Sequence, residues 1–223
     1  MKNVVITGTS SGIGLELVKL YSDKNYNVLS LSRSPISIKK KNVKHLIFDI
    51  TSEKSMDEVK IIIENEFKVI DILINNAGKL INKPFLEITK EDHLSVFEVN
   101  FIGVVNIIRT IFPFFKKKSH VVNISSIGGI IGSSKFKGLT AYSSSKGALN
   151  ILTEVLAEEF KETGPNFNSL CLGSVQTKML KKAFPGYKAK VKPNDIAEFI
   201  FDFSNNGTKF FNGKVIPVSL SNP

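Results

Sequence analysis

The sequence is poor in cysteine and arginine, and it has no long uninterrupted apolar run. The single cysteine, Cys171, cannot form an internal disulfide, and its apolar neighbours predict a buried, inert thiol. Nothing in the chain requires an oxidising compartment, so we expect a cytoplasmic protein. No apolar run approaches the roughly 18 residues needed to cross a bilayer, and we expect no membrane partner. The sequence enters a strand-like run, Val4–Ile6, almost directly after Met1, so we expect no separate cleavable segment before the first strand.

Arginine contributes only Arg33 and Arg109 to a net charge of +10, and lysine supplies nearly all of it. Proteins that read nucleic acid usually cluster arginine on one element or contain a known module, and neither feature is present. We therefore expect no nucleic-acid partner, and the sequence indicates no metal site. Apart from Lys39–Lys41 and Lys116–Lys118 the lysines are scattered, which favours a solvated surface. An anionic substrate or an acidic carrier protein is the alternative.

Short β-branched runs alternate with helical patterns along the chain, which predicts a parallel sheet with helices on both faces. We expect a single-domain, Rossmann-like, doubly wound α/β fold of about seven strands over residues 1–223. The boundary between a cofactor half and a catalytic and substrate half is expected near residue 118. The predicted strands are Asn3–Thr7, Asn27–Leu31, Lys44–Phe48, Val69–Ile74, His120–Ile124, Asn166–Cys171 and Lys214–Val218. The first predicted helix starts with Leu15–Val18. The other predicted helices are Ser55–Phe67, Thr89–Phe115, Tyr142–Phe160 and Pro193–Phe203.

One connection between predicted strands is short. Only about ten residues, from Ser34 to Val43, join the second and third strands, whereas a parallel crossover usually needs a dozen or more. Pro35 and three consecutive lysines favour a loop over a helix in this segment. We therefore expect one edge of the ligand cleft to be more open than is usual.

A glycine-rich segment, Thr7–Gly14, connects the first strand to the first helix. Glycines permit a tight turn there, and the backbone N–H groups of a helix N-terminus favour a pyrophosphate. The spacing differs from the ordinary dinucleotide fingerprint by extra residues between the first two glycines. A strand-to-helix turn that simply needs positive φ is the alternative.

A second segment, Asn75–Gly78, closes a buried strand with small and amide residues. Such residues at the carboxyl end of a central strand suit the close approach of a flat ligand. An Asx turn with no ligand explains the same residues equally well.

Tyr142 and Lys146 lie four residues apart at the start of a predicted helix, and so on one face of it. A phenol with a pKa near 10 is a poor acid or base at neutral pH, and a neighbouring ammonium favours the phenolate. Two serines, Ser125 and Ser126, follow the preceding predicted strand. Taken alone, a Tyr-Lys pair at this spacing is more often an ordinary surface pair.

In their order along the chain these motifs resemble the short-chain dehydrogenase/reductase family, and the resemblance covers essentially the whole sequence. It implies an oxidoreductase that moves a hydride between a nicotinamide cofactor and a carbonyl compound or alcohol. The matching residues are the glycine turn, Asp49, Asn75–Gly78, Asn100, Ser126, Tyr142, Lys146 and the final strand-like run Gly213–Val218.

The resemblance implies four catalytic residues. Tyr142 exchanges a proton with the substrate oxygen, while Lys146 lowers the tyrosine pKa and holds the nicotinamide ribose. Ser126 hydrogen-bonds the substrate oxygen, with Ser125 as the alternative serine. Asn100 holds a water that links Lys146 to solvent.

The resemblance also implies a set of cofactor-binding residues. Asp49 is placed to meet the adenine, although it is also a candidate helix cap before Ser52. Thr177 is placed to contact the carboxamide. The full set is Gly8, Ser10, Ser11, Gly12, Ile13, Gly14, Arg33, Asp49, Ile50, Asn76, Ala77, Gly78, Tyr142, Lys146, Gly173, Val175 and Thr177.

The end of the second strand predicts a preference for NADP(H) over NAD(H). Leu31–Ser34 contains no acidic residue to bond both ribose hydroxyls, and Arg33 offers a charged fork for a 2′-phosphate. A solvated loop charge is the alternative role of Arg33. Some NADP-dependent members have a second basic residue where this chain has Ser11, so the preference is expected to be modest.

Three features depart from the family pattern. The spacer between Ser126 and Tyr142 is a few residues longer than usual and adds Ser133–Lys137 at the substrate mouth. Leu172-Gly173 stands where the family has Pro-Gly. Lys178–Lys192 is a short substrate lid, which predicts an open pocket.

The leading hypothesis is a reductase of a small or medium carbonyl compound. A 3-oxoacyl-carrier-protein reductase is the alternative within the enzyme class, and the basic surface would suit it. A catalytically silent nucleotide-sensing or scaffold protein is the alternative from another class, although such proteins often lack the tyrosine or lysine retained here. The apolar surface of Thr89–Phe115 and Tyr142–Phe160 predicts a homodimer or homotetramer.

Overall fold

The computed structural model describes residues 1–220, in which seven strands form one sheet. Every neighbouring pair of strands is parallel, and the order is third, second, first, fourth, fifth, sixth, seventh. This architecture confirms the predicted Rossmann-like α/β fold. The strands are β1 (Asn3–Thr7), β2 (Asn27–Ser32), β3 (Val43–Ile47), β4 (Ile70–Asn75), β5 (Phe115–Ser126), β6 (Asn166–Leu172) and β7 (Lys214–Val218).

Helices cover both faces of the sheet. A helix is present in each predicted region, but Thr89–Phe115 is divided and its last residue, Phe115, belongs to β5; α6 is an additional short helix within the lid. The division of the chain near residue 118 stays a prediction. The helices are α1 (Gly12–Asp23), α2 (Glu53–Ile62), α3 (Lys90–Phe97), α4 (Gly103–Ile111), α5 (Thr140–Glu159), α6 (Lys178–Ala183) and α7 (Pro193–Asn206).

The central strands are buried on both faces, which explains why they appear in the sequence as continuous apolar runs. In β1 the side chain of Val5 packs into one core layer, whereas Val4 and Ile6 pack into the other. All three are fully buried. The first layer contains Ile107 of α4, and the second contains Leu17 of α1, so the sheet alternation distributes the apolar side chains between two cores.

The sheet order places a ligand cleft at the centre of the molecule. From the boundary between β1 and β4, the chain adds β2 and β3 towards one edge of the sheet and β5, β6 and β7 towards the other. In an open parallel sheet, ligands bind beyond the carboxyl ends of the strands at such a switch point. The glycine turn and Asn75–Gly78 both follow these two strands, so the fold brings the two motifs together.

The predicted helix Thr89–Phe115 is interrupted in the structure. Thr89 caps α3, because its hydroxyl accepts a hydrogen bond from the Asp92 N–H at 3.1 Å. A wider π-helical turn, Glu98–Ile102, then separates α3 from α4. Such turns are frequent at functional sites, and this one contains Asn100.

The fifth strand begins earlier than the predicted His120. Phe115 already pairs with Ile70, and the register then shifts so that His120 pairs with Ile72. The shift moves residues 116–119 out of regular pairing. The lysine run, Lys116–Lys118, therefore lies at an exposed irregularity near the start of β5.

One helical span is apolar enough to cross a membrane, contrary to the sequence-based expectation. Lys90–Phe114 has a mean hydropathy of 1.5 over the relevant window and is the one such span among residues 1–220. Within the fold, Val104, Ile107 and Ile111 of this span are buried in the core beside β4 and β5. These apolar side chains of the span therefore pack within the domain.

The connection between β2 and β3 contains no helix, as predicted. Asn42 anchors its end by donating to the carbonyl oxygens of Ser22 and Tyr26 at 2.8 and 3.0 Å. This short connection leaves Arg33 exposed at the edge of the cleft.

Candidate active site

A cleft of about 440 Å³ opens at the carboxyl ends of the central strands. It brings together residues that are far apart in the sequence. Of the predicted site residues, Gly14 and Asn100 do not line it. Those that do are Gly8, Ser10, Ser11, Gly12, Ile13, Arg33, Asp49, Ile50, Asn76, Ala77, Gly78, Ser126, Tyr142, Lys146, Gly173, Val175 and Thr177.

The glycine turn is shaped by close backbone packing. Gly8 has φ +73°, and a Cβ there would lie 2.7 Å from the Ala77 Cα. A Cβ on Gly14 would lie 2.2 Å from the Gly8 carbonyl oxygen, so Gly14 permits the packing of α1 rather than lining the cleft. Ser11 precedes α1 without a side-chain capping bond. The first N–H groups of α1 therefore suit an anionic ligand.

Asn76 holds the glycine turn against β4. Its Nδ2 donates to the carbonyl oxygens of Thr7 and Gly8 at 3.1 and 3.0 Å. The Thr7 hydroxyl in turn accepts from the N–H groups of Asn76 and Ala77 at 3.1 and 3.0 Å. The amide of Asn76 is thus committed to protein contacts, and its contribution to the cleft is mainly to position the walls.

Tyr142 and Lys146 lie on one face of α5, as their spacing predicts. The Lys146 Nζ is 5.8 Å from the centroid of the Tyr142 ring and donates to the Ile124 carbonyl oxygen at 2.7 Å. Burial raises the pKa of Tyr142 to about 12, and a hydrogen bond with Ser126 acts in the opposite direction. Burial lowers the pKa of Lys146 to about 8. The two groups are therefore close, while the ammonium is directed at a backbone carbonyl rather than at the phenol oxygen.

The two serines at the end of β5 have different partners. The Ser125 hydroxyl donates to the main-chain carbonyl of Lys146 at 3.2 Å. The Ser126 hydroxyl oxygen accepts from the Gly128 N–H at 3.2 Å, and Ser126 is near enough to the Tyr142 phenol to counteract part of the rise in its pKa. This arrangement favours Ser126 over Ser125 as the hydroxyl that meets a substrate beside Tyr142.

Asn100 is fully buried, and its amide clamps the segment that follows β4. Its Oδ1 accepts from the Lys79 N–H at 2.7 Å, and its Nδ2 donates to the Lys79 carbonyl and the Ser145 hydroxyl, each at 2.9 Å. A Cβ on Gly78 would lie 3.6 Å from Asn100 Oδ1 and 3.9 Å from Lys146 Nζ. The two side chains are thus neighbours without a direct bond. Ser145 and the Lys79 backbone were missed at the sequence level, since no motif marks their contacts.

Arg33 and Asp49 line the cleft near one another. The Asp49 carboxylate accepts from the Thr51 N–H and hydroxyl at 3.0 and 2.8 Å. These bonds lower the Asp49 pKa, and the nearby Arg33 charge adds to the effect. Ser52, not Asp49, caps α2. Among residues 1–220 Arg33 forms no salt bridge, and its neighbour Ser32 donates to the Ser34 carbonyl at 2.8 Å.

The lid begins with α6, which borders the cleft through Met179 and Leu180, and the open pocket stays a prediction. Thr177 caps α6 by accepting from the Leu180 N–H at 3.2 Å. A Cβ on Gly12 would lie 3.4 Å from the Thr177 methyl, and one on Gly78 would lie 3.9 Å from the Met179 Cε. Thr177 therefore lies beside the glycine turn, and Met179, at the start of the lid, lies beside the segment that follows β4.

Two further observations concern reactive groups. Cys171 is a buried free thiol, as predicted, and burial raises its pKa. Throughout the described part of the chain, residues 1–220, no group of three or more His, Cys, Asp or Glu could hold a metal ion.

Three features of the cleft suit a dinucleotide. The glycine turn leads into the N-terminus of α1, which has no side-chain cap. A side chain at Gly8 would clash with the backbone of Ala77. The basic residue Arg33 lies just beyond the end of β2. The fold and the cleft therefore define a nicotinamide-dependent oxidoreductase of the Rossmann class.

Comparisons with known proteins place the chain within this class. The family model for short chain dehydrogenases matches residues 2–188. An uncharacterized oxidoreductase of Staphylococcus saprophyticus is 30% identical over 209 residues, which cover 88% of each chain. The protein belongs to the short-chain dehydrogenase family.

Solved structures share the whole fold. The protein ElxO, solved with NADP bound, is 26% identical, with a TM-score of 0.85 over 98% of this chain and 97% of the other. A 3-ketoacyl-(acyl-carrier-protein) reductase from Brucella melitensis, complexed with NADH, is 23% identical, with a TM-score of 0.88 over 98% and 96%. Structures of this fold thus contain either nicotinamide cofactor, and the second likeness supports the fold alone.

Proposed function

We propose that the protein reduces a small or medium carbonyl compound with NADPH and oxidises the corresponding alcohol in reverse. The observation that carries the proposal is the position of the Tyr142 phenol, which lies in the cleft with Ser126 and has the Lys146 ammonium 5.8 Å from its ring centroid. Tyr142 and Lys146 both line the cleft. A silent nucleotide sensor often lacks one of these two residues, so their presence argues against that alternative. We further propose that it acts in the cytoplasm, where the lone buried Cys171 needs no oxidising partner.

The residues divide the chemistry among them. A bound nicotinamide cofactor supplies the hydride during reduction and accepts it during oxidation. Tyr142 gives a proton to the substrate oxygen during reduction and removes it during oxidation. The Ser126 hydroxyl hydrogen-bonds the same oxygen and stabilises its developing charge. Lys146 supplies a positive charge beside the phenol, which favours the phenolate left after the proton has moved.

Asn100 acts in this scheme mainly through position. Its hydrogen bonds to Lys79 and Ser145 hold the segment after β4 against the start of α5. We propose that a water beside Gly78 connects Lys146 with solvent, since Asn100 Oδ1 and Lys146 Nζ both border that glycine. Such a water would return the proton that Tyr142 transfers.

A 3-oxoacyl-carrier-protein reductase is the second candidate function. The six lysines of the lid, between Lys178 and Lys192, favour it because they would meet an acidic carrier. Turnover of acetoacetyl carrier protein at least tenfold faster than that of free carbonyl compounds would replace the first candidate with this one.

The cofactor preference gives the first test. Arg33→Ala is expected to weaken NADPH binding by about 10- to 100-fold, because charge-assisted hydrogen bonds contribute about 1.5–3 kcal/mol. NADH binding should remain nearly unchanged, since NADH lacks the 2′-phosphate. Fluorescence titration of both reduced cofactors measures the effect, with Arg109→Ala on α4 as the matched control. Equal or tighter NADH binding by the unaltered protein would overturn the NADP preference.

Assembly gives a second test. We propose a homodimer or homotetramer formed through α3 to α5, because Leu94, Ile102, Ile151 and Val155 are 40–58% exposed on these elements. Light scattering at micromolar concentration should therefore give at least twice the mass of the 24.7 kDa chain. Ile151→Glu should lower that mass, whereas Ile61→Glu on α2 should not. A monomeric unaltered protein would contradict the proposal.

A further inference from the structure

Three segments enclose the substrate end of the cleft: residues 77–86 after β4, residues 130–139 before α5, and the lid, residues 178–192. Together we call them the rim. Their inward-facing wall is apolar and includes an aromatic pair, Phe136 and Phe184, with ring centroids 6.2 Å apart. The apolar rim residues that line the cleft are Leu80, Phe136, Leu139, Met179, Leu180 and Phe184. None of them belongs to a sequence motif.

Hydrogen bonds join the rim into one structure. The Lys83 N–H donates to the Gly138 carbonyl at 3.1 Å, and Asn82 Nδ2 donates to the Ala183 carbonyl at 2.7 Å. Gly138 has φ +81°, and a Cβ there would overlap the Asn82 side chain at 1.9 Å. The three segments therefore meet at Asn82, with the aromatic pair completing the ring.

The rim is cationic to an unusual degree. It contains ten of the 30 Lys and Arg residues of the chain and none of its 20 Asp and Glu residues. All the rim lysines are exposed except Lys79 and Lys83, which are half-buried. These lysines are Lys79, Lys83, Lys135, Lys137, Lys178, Lys181, Lys182, Lys188, Lys190 and Lys192.

Acidic groups from neighbouring elements compensate little of this charge. Lys83 pairs with Asp92 of α3 at 2.6 Å, and no other rim lysine forms a salt bridge within residues 1–220. Asp195 of α7 accepts from the Lys192 main-chain N–H at 3.1 Å and from Asn194 Nδ2 at 2.8 Å, and it pairs with no rim lysine side chain within residues 1–220. Two of the lysines without a salt bridge, Lys79 and Lys178, line the cleft itself.

We propose that the substrate is an amphipathic anion, in which an apolar segment separates the reacting carbonyl from a carboxylate or phosphate. The inference rests on the proposed function of the same cleft. The apolar wall takes the middle of the molecule, Tyr142 and Ser126 take the carbonyl oxygen, and the lysine rim takes the anionic end. A cleft lined by one sign of charge raises the association rate of an opposite charge by about 10- to 1,000-fold at low salt.

The experiment compares matched pairs of substrates that differ in charge. The first pair is para-acetylbenzoate and its methyl ester, which tests a carboxylate. The second is acetoacetyl-coenzyme A and acetoacetyl-N-acetylcysteamine, which tests a phosphate. With saturating NADPH, kcat/KM for the charged member of at least one pair should exceed that of its partner by about tenfold or more. Raising the ionic strength should reduce this ratio, because salt screens exposed charges.

Variants locate the effect on the rim. Lys79→Gln and Lys178→Gln, made singly and together, should lower the charged-to-neutral ratio. Using the ratio removes any shared effect on cofactor binding. Lys117→Gln/Lys118→Gln, at the opposite end of β5, is the control and should leave the ratio unchanged.

A binding measurement separates this inference from the proposed function. Calorimetric titration of the protein loaded with NADP⁺ compares the same pairs without requiring turnover. Tighter binding of a charged member without NADPH oxidation would support the anion site and refute the proposed reaction. Equal binding and equal turnover of charged and neutral members in both pairs would overturn the inference, even if carbonyl reduction itself is found.

Discussion

Tyr142→Phe is expected to lower kcat for carbonyl reduction by about 100- to 10,000-fold, the usual contribution of a positioned acid or base. The phenol is the proposed proton donor to the substrate oxygen, and phenylalanine keeps the ring while removing that proton. Cofactor affinity should change little, because the glycine turn, Arg33 and Lys146 provide the proposed contacts. Stopped assays for kcat and fluorescence titration for NADPH binding measure the two effects separately.

Tyr26→Phe is the matched control for this substitution. Its hydroxyl donates to Asn205 at 2.6 Å in a region remote from the cleft, so the variant loses a phenol without losing a catalytic group. Turnover by this variant should stay close to that of the unaltered protein. Retention of most activity by Tyr142→Phe would show that another group is the acid.

Lys146→Ala is expected to damage both cofactor binding and turnover. Loss of the ammonium removes a charge-assisted contact to the ribose, which should weaken cofactor binding by about tenfold. It also removes the charge that stabilises the phenolate, which should lower kcat by about 100-fold. Lys146→Met keeps most of the buried stem and should show the same losses, which separates charge from packing. Lys161→Ala, just beyond α5, is the exposed control.

The same lysine predicts a pH dependence. Burial lowers its pKa to about 8, so the ammonium is present below that pH and is lost above it. For reduction, kcat/KM for NADPH reports the cofactor-free protein and should therefore decline as pH rises through about 8. In Lys146→Met, kcat/KM for NADPH should be low at every pH and should not decline as pH rises through about 8. An unchanged decline in that variant would assign the titration to another group.

The sequence was most informative where chemistry and local pattern coincide. The apolar runs of β1 and β4 predict central strands, and parallel pairing then requires their carboxyl ends to share an edge. The glycine turn and Asn75–Gly78 follow those strands, so their meeting in one cleft was predictable. The four-residue spacing of Tyr142 and Lys146 likewise fixes their common helical face.

Other features depend on contacts between distant segments and could not be predicted. The π-helical turn at Asn100 accompanies its clamp on Lys79, and nothing in the local pattern distinguishes it from an uninterrupted helix. The early start of β5 depends on its pairing with Ile70, which the lysine run conceals. Phe136 and Phe184 lie in the two segments that the sequence assigns to the substrate mouth and the lid. Their contact with each other has no motif and emerged only from the fold.

The central claim is that the cleft transfers a hydride between NADPH and a substrate carbonyl. The most direct measurement uses NADPH carrying deuterium at the transferable nicotinamide position, with a panel of carbonyl compounds and mass analysis of the alcohols formed. The account predicts deuterium on the carbinol carbon of at least one product, at a rate that Tyr142→Phe suppresses. Cofactor consumption without label in any alcohol, or no alcohol from any compound in the panel, would contradict it.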